Sequence, residues 1–261
     1  MTGKDSVPAG ALAPRPPARD EVPGSPAYDA AIAAAVAAVR ERIDAACRRA
    51  GRPPDSVELL AVTKFNPAGA VLAAYAAGIR SFGENRVQEA EGKFSSIAGS
   101  IPGATVHLLG HLQGNKAKKA AILFDCVQSV DSDTIAVELS RRARDAGKTL
   151  DLLFELHTGE ESKSGFADAE ALYRAIEQAA VLPGIRIRGL MTMAPYTDDA
   201  VAIRASFRSC ADAFNEARSR FDLPSFNTLS MGMTNDLELA IEEGSTMVRV
   251  GTAIFGSRAY P

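Results

Sequence analysis

From Val57 onward the hydrophobic pattern switches repeatedly between short runs that are apolar on both faces and longer stretches with an apolar residue every three or four positions. The short runs cover residues 58–62, 79–82, 105–109, 126–130, 150–156, 185–191, 228–231 and 247–250, and they predict strands. The amphipathic stretches at 68–77, 116–124, 135–146, 167–180, 201–220 and 236–243 predict helices between them. Runs apolar on both faces suit parallel strands covered by helices. Some eight strand–helix units in succession predict an α/β fold, a single (β/α)8 TIM barrel, rather than an open doubly wound sheet.

Ahead of this pattern Ile32, Val36, Val39, Ile43 and Cys47 recur at helical spacing, and Gly51, Pro53 and Pro54 supply a stop. A helix therefore precedes the first strand, and the folded body is expected to begin near Tyr28. Six of the 14 prolines fall between Pro8 and Pro26, among Ala, Gly, Ser and scattered charges. Such a segment buries too little apolar surface to offset its ordering entropy. Residues 1–26 are accordingly expected to form a disordered Pro/Ala-rich tail, and residues 27–261 the barrel.

Composition narrows the function. The 261 residues carry 29 basic and 32 acidic side chains, a formal charge of −3, with no basic stripe of the kind that phosphate-backbone recognition needs. A nucleic-acid partner is not expected. Cys47, Cys126 and Cys210 are odd in number and widely spaced, which argues against a disulfide framework or a zinc knuckle and for a reducing compartment. No run of some 18 uncharged apolar residues occurs, and no basic segment followed by an apolar stretch opens the chain. The expectation is a soluble cytoplasmic protein without a membrane partner.

In a barrel of this kind the chemistry collects at the C-terminal ends of the strands. Lys64 ends the first predicted strand. An ammonium there is costly to bury and its pKa tends to fall, which suits a Schiff-base amine; the alternative is a lysine that snorkels to solvent. Lys163, in Glu160-Glu161-Ser162-Lys163-Ser164-Gly165, is a rival whose acidic and small neighbours suggest a solvated loop. Ser230-Met231-Gly232-Met233 and Gly251-Thr252-Ala253 follow the last two strands, where glycines and hydroxyls commonly cradle a phosphate, although each glycine alone reads equally as a turn. Arg249 alternates with Val248 and Val250 and so points toward the barrel interior, where it needs an acceptor: an ion pair with a carboxylate such as Glu84, or a bound ligand. His107 and His111 lack a metal-ligand pattern and read as structural histidines. The run from Asn115 to Lys119 reads as a solvated basic face, and Met191, Met193, Met231, Met233 and Met247 as core filler.

Taken together, Leu60-Ala61-Val62-Thr63-Lys64, Phe82-Gly83-Glu84-Asn85-Arg86-Val87-Gln88-Glu89, Gly110-His111-Leu112-Gln113-Gly114-Asn115-Lys116, Ser162-Lys163-Ser164-Gly165, Gly189-Leu190-Met191, Leu229-Ser230-Met231-Gly232-Met233 and Val248-Arg249-Val250-Gly251-Thr252-Ala253-Ile254-Phe255-Gly256 closely resemble the YggS/PROSC family of pyridoxal-phosphate-binding proteins. The resemblance covers essentially everything after the tail. It implies a barrel like the N-terminal domain of alanine racemase, with pyridoxal 5′-phosphate (PLP) as cofactor and Lys64 matching the lysine that forms the internal aldimine. By the same resemblance Ser230, Gly251 and Thr252 match phosphate-binding positions, Arg249 the arginine facing the pyridine nitrogen, and Asn85 a residue lining the ring pocket. Thr63 in place of serine, Phe65-Asn66 in place of a more polar pair, Arg86 in place of an aromatic residue and the absence of a tryptophan before the third strand depart from the family pattern, and Arg86 alters the outer rim of the pocket.

A guanidinium at the ring nitrogen disfavours pyridinium and weakens the ring as an electron sink. The chain also stops at Tyr260-Pro261, right after the last barrel unit, where related racemases continue into a second domain. The resemblance thus implies a monomeric, non-catalytic PLP-holding protein of intracellular PLP homeostasis, with PLP-dependent apo-enzymes as recipients. The alternatives are an amino-acid racemase or other PLP enzyme of the alanine racemase barrel type, and a Schiff-base aldolase acting on a phosphorylated sugar.

Overall fold

The computed structural model describes residues 16–17, 22–159 and 164–256. Lys163, Tyr260, Pro261 and most of the expected tail lie outside the described residues. Helix α1 (Pro26–Arg49) opens the body two residues ahead of Tyr28: Pro26 takes the first helical position and the Ser25 hydroxyl accepts the Tyr28 N–H. Its buried stripe includes the expected Ile32, Val36, Val39, Ile43 and Cys47.

Eight strands then alternate with helices: β1 (Glu58–Val62), α2 (Ala68–Ala76), β2 (Ser81–Glu84), α3 (Val87–Ser95), β3 (Thr105–Leu108), α4 (Ala117–Leu123), β4 (Cys126–Val130), α5 (Asp133–Asp145), β5 (Leu150–Glu155), α6 (Ala169–Ala180), β6 (Ile185–Met191), α7 (Ala200–Arg220), β7 (Thr228–Ser230), α8 (Leu237–Glu242), β8 (Met247–Val250) and α9 (Thr252–Phe255). The strands follow sequence order in a closed barrel. All neighbours are parallel, and β8 returns to pair with β1, setting Leu60 opposite Arg249. Helix α9 spans only four residues, and α1 packs against α2, α8 and α9 to cover the seam where the barrel closes.

The main apolar core lies between the strands and the helical ring. The barrel interior holds two smaller apolar clusters, Leu60, Val62 and Met247 with Leu109, and Cys126, Leu153 and Met191 with Met193. Met191 and Met247 are thus the packing residues expected of them. The three cysteines are buried and unpaired, and no described helix is long and apolar enough to cross a membrane.

Two elements differ from the sequence pattern. The second strand was expected at 79–82 and runs Ser81–Glu84, because the Ile79 N–H is taken by the Ala74 carbonyl as α2 ends. Helix α3 was not expected: its buried stripe is Val87, Ala90, Lys93 and Phe94, and the lysine interrupts the apolar signal.

Candidate functional site

The C-terminal mouth of the barrel gathers the residues singled out above. β1 ends in Thr63-Lys64-Phe65. By strand alternation Leu60 and Val62 face the interior, Thr63 faces the helical layer and Lys64 turns back toward the mouth. Lys64 is half-buried. Phe65 is left-handed, φ 65°, the one non-glycine residue with positive φ among those described. That conformation reverses the chain: the Asn66 N–H returns to the Thr63 carbonyl at 3.0 Å and the Asn66 amide donates to the Lys64 carbonyl at 3.2 Å.

A buried charge cluster fastens this turn from behind. The Lys93 ammonium donates to the Thr63 carbonyl at 2.6 Å, to Glu84 at 2.5 Å and to Glu89 at 3.1 Å, while the Thr63 hydroxyl donates to the same Glu84 oxygen at 2.6 Å. Glu89 also accepts the Phe65 backbone N–H. Burial pushes the Glu84 carboxyl above its usual range, against the pull of Lys93 and Thr63. Sequence reasoning missed Lys93. The signal for it was a lysine set among Val87, Ala90 and Phe94 in an otherwise helical stripe.

Arg249 lies in the interior, as its alternation on β8 predicts, but the proposed Glu84 partner is wrong. Glu84 is spoken for by Lys93 and Thr63 on the far side of the sheet. Arg249 donates instead to the Ser230 hydroxyl and to the Thr192 carbonyl, each at 2.8 Å. No described carboxylate forms an ion pair with it, and burial lowers its pKa to about 10, with Asp236 and Glu155 pulling the other way. The arrangement brings Ser230 and Arg249 directly together across β7 and β8.

The remaining candidates stand on adjacent strand ends. Gly251 lies against the end of β1, where an added Cβ would come 3.3 Å from the Val62 carbonyl, and Thr252 is exposed at the start of α9. Gly232 adopts φ +96° and an added Cβ would meet Ala240 at 2.6 Å, so this turn requires glycine. Asn85 follows β2 and its carbonyl packs on Gly110, where a Cβ would come within 2.3 Å, locking the β2 and β3 loops together. His107 and His111 are both engaged, His107 with Thr105 and Gln128, His111 with Asp131 at 2.7 Å. Among the described residues no group of His, Cys, Asp and Glu would hold a metal ion.

The donor set fits a phosphorylated carbonyl compound. A lysine stands at one side of the mouth, glycine turns follow β7 and β8, and a buried guanidinium has no carboxylate partner among the described residues. Comparison with known proteins agrees with this chemistry. Residues 35–259 match the family model described as the alanine racemase N-terminal domain. A pyridoxal phosphate homeostasis protein of Pseudomonas aeruginosa is 43% identical over 232 residues, 88% of this chain and 96% of that one. The solved structure of PipY from Synechococcus elongatus with PLP bound aligns with a TM-score of 0.72 at 41% identity, covering 84% of this chain and 100% of that one. An alanine racemase from Streptomyces coelicolor shares the fold, with a TM-score of 0.65 at 22% identity, over 85% of this chain and 59% of its own. Extensive identity across the whole barrel places this chain in the pyridoxal phosphate homeostasis protein family, built on the alanine racemase N-terminal fold.

Proposed function

We propose that this chain binds PLP at the C-terminal mouth, attached through Lys64, and serves intracellular PLP homeostasis rather than turnover. Asn85 lines the ring, Gly251 and Thr252 hold the phosphate, and Arg249, held by the Ser230 hydroxyl, faces the pyridine nitrogen. PLP supplies a reactive aldehyde and, when its ring is protonated, an electron sink.

The observation that carries the reading is Arg249, which donates one N–H each to Ser230 and the Thr192 carbonyl, keeps further N–H donors, and has no ion-paired carboxylate among the described residues. A guanidinium has no lone pair to offer and remains charged, so it keeps a nearby ring nitrogen unprotonated and the sink weak. A site of this kind suits storage and delivery. The recipients are PLP-dependent apo-enzymes in the cytoplasm, and the protein acts as a monomer.

The test is a paired assay. Purified protein mixed with PLP is expected to develop visible absorbance, while a panel of amino acids shows turnover far below about 1 s⁻¹, the low end of ordinary enzymes. Turnover within the enzyme range would replace the carrier reading with a racemase or related activity.

A further inference from the structure

The barrel interior holds a single file of hydrogen bonds that runs from Arg249 at the C-terminal mouth to Glu58 at the opposite end. Arg249 Nη1 reaches the Ser230 hydroxyl at 2.8 Å, Ser230 reaches Gln128 Oε1 at 2.7 Å, and Gln128 Nε2 reaches His107 Nδ1 at 2.9 Å. His107 Nε2 then lies 3.1 Å from the Thr105 hydroxyl, which lies 3.2 Å from Ser81, and Ser81 donates to the Glu58 carboxylate. Ser230 and Gln128 are fully buried, whereas Glu58 lines a cavity of about 310 Å³ with Arg40, Asp44, Arg80 and Ser81.

Counting protons fixes every link from Arg249 to Thr105; beyond it the Thr105 hydroxyl has two acceptors, Ser81 at 3.2 Å and the Arg80 carbonyl at 3.5 Å. A guanidinium only donates, so Ser230 accepts from Arg249 and its one proton goes to Gln128 Oε1. The Gln128 amide nitrogen therefore faces His107, an orientation supported independently by its second N–H, which meets the Met247 sulfur at 3.2 Å. His107 Nδ1 must accept, which puts the imidazole proton on Nε2, facing Thr105. At the far end a carboxylate accepts from Ser81. From Arg249 to Thr105 all donors point away from the cation.

We propose that Gln128 and His107 are positioning residues that fix the proton direction of Ser230 and, through it, the orientation of the Arg249 guanidinium. A neutral Nε2–H imidazole is the piece that makes the file continuous. Burial holds the His107 pKa down at about 4, with Asp151 raising it and Arg188 lowering it among the charged groups nearby. The amide in the middle rules out simple proton conduction, so the file orients rather than conducts. Its effect on the cofactor rests on the PLP reading above; the tautomer does not.

Two measurements test it. Nitrogen-15 NMR of the ligand-free protein at neutral pH is expected to show His107 neutral, with Nδ1 bare and Nε2 protonated; the other tautomer or an imidazolium would overturn the proposal. Gln128→Leu is expected to weaken PLP binding about tenfold, whereas Gln128→Glu still accepts from Ser230 and draws a proton onto His107, which then donates to it, so the acceptor that orients Ser230 is kept while the link to His107 reverses. In Gln128→Glu the His107 titration midpoint should rise by at least about two pH units and PLP affinity should recover toward wild type. Unchanged affinity in Gln128→Leu, or no recovery in Gln128→Glu, would overturn the positioning role. If the wild type itself binds no PLP, the cofactor reading fails while the NMR result stands on its own.

Discussion

Lys93 and Glu84 meet at 2.5 Å behind the turn that carries Lys64, with side chains 6% and 0% exposed. Their bond is part of a cluster that ties α3 to the end of β1, since the same ammonium holds the Thr63 carbonyl. Removing one member of a buried pair leaves an uncompensated charge, at a cost of about 3–5 kcal/mol. Lys93→Met is therefore expected to destabilise the protein by that order in urea unfolding. Adding Glu84→Gln should recover part of the loss, because a neutral amide still accepts from Thr63 without stranding a charge. Equal stability of the single and double variants would contradict the pairing.

Phe65 is 62% exposed and left-handed, so its backbone conformation constrains what the position tolerates. Asparagine visits this region readily and β-branched residues do so at high cost. Phe65→Asn should raise stability by up to about 1 kcal/mol, and Phe65→Val should lower it by about 1–2 kcal/mol. Urea midpoints in the reverse order would show that the turn is not under backbone constraint.

The strand bounds follow the sequence pattern even where a polar residue interrupts the apolar run, as Gln128, Arg188 and Arg249 do. The strands at Glu58–Val62, Cys126–Val130, Ile185–Met191 and Met247–Val250 fall on the predicted residues, because each is packed between interior and helical ring. The far end of β2 and helix α3 depart from it for one shared reason. Glu84 closes a strand and Lys93 sits in a buried helical stripe, and each is tolerable only because the other neutralises it. A pairing between residues on different elements leaves no periodicity to read. The same limit explains Arg249: alternation placed it in the interior, but its partners Ser230 and Thr192 come from strands folded around it, one of them through a backbone carbonyl.

His107 gives a signed pH dependence. Its pKa falls from 6.5 to about 4 in the folded protein, so unfolding takes up a proton between those values. The contribution is fully present above the unfolded pKa near 6.5, shrinks as pH falls, and is gone below the folded value, for a total of about 3 kcal/mol. His107→Gln retains one donor and one acceptor without a titrating group, and its stability should fall less between pH 6.5 and 4. Glu84 and Glu155, whose pKa values are raised by burial, add slopes of the opposite sign to both proteins, and these cancel in the difference. Parallel stability curves for wild type and variant would mean that His107 is not held neutral by the fold.

The proposed function makes Lys64 at the end of β1 the point of PLP attachment, and peptide mass spectrometry after borohydride reduction of the PLP-loaded protein tests it. The reduced pyridoxyl mass is expected on the peptide containing Lys64, with its loss in Lys64→Ala. Modification of equal yield in Lys64→Ala, or a label confined to Lys93 or Lys163 in the wild type, would contradict it.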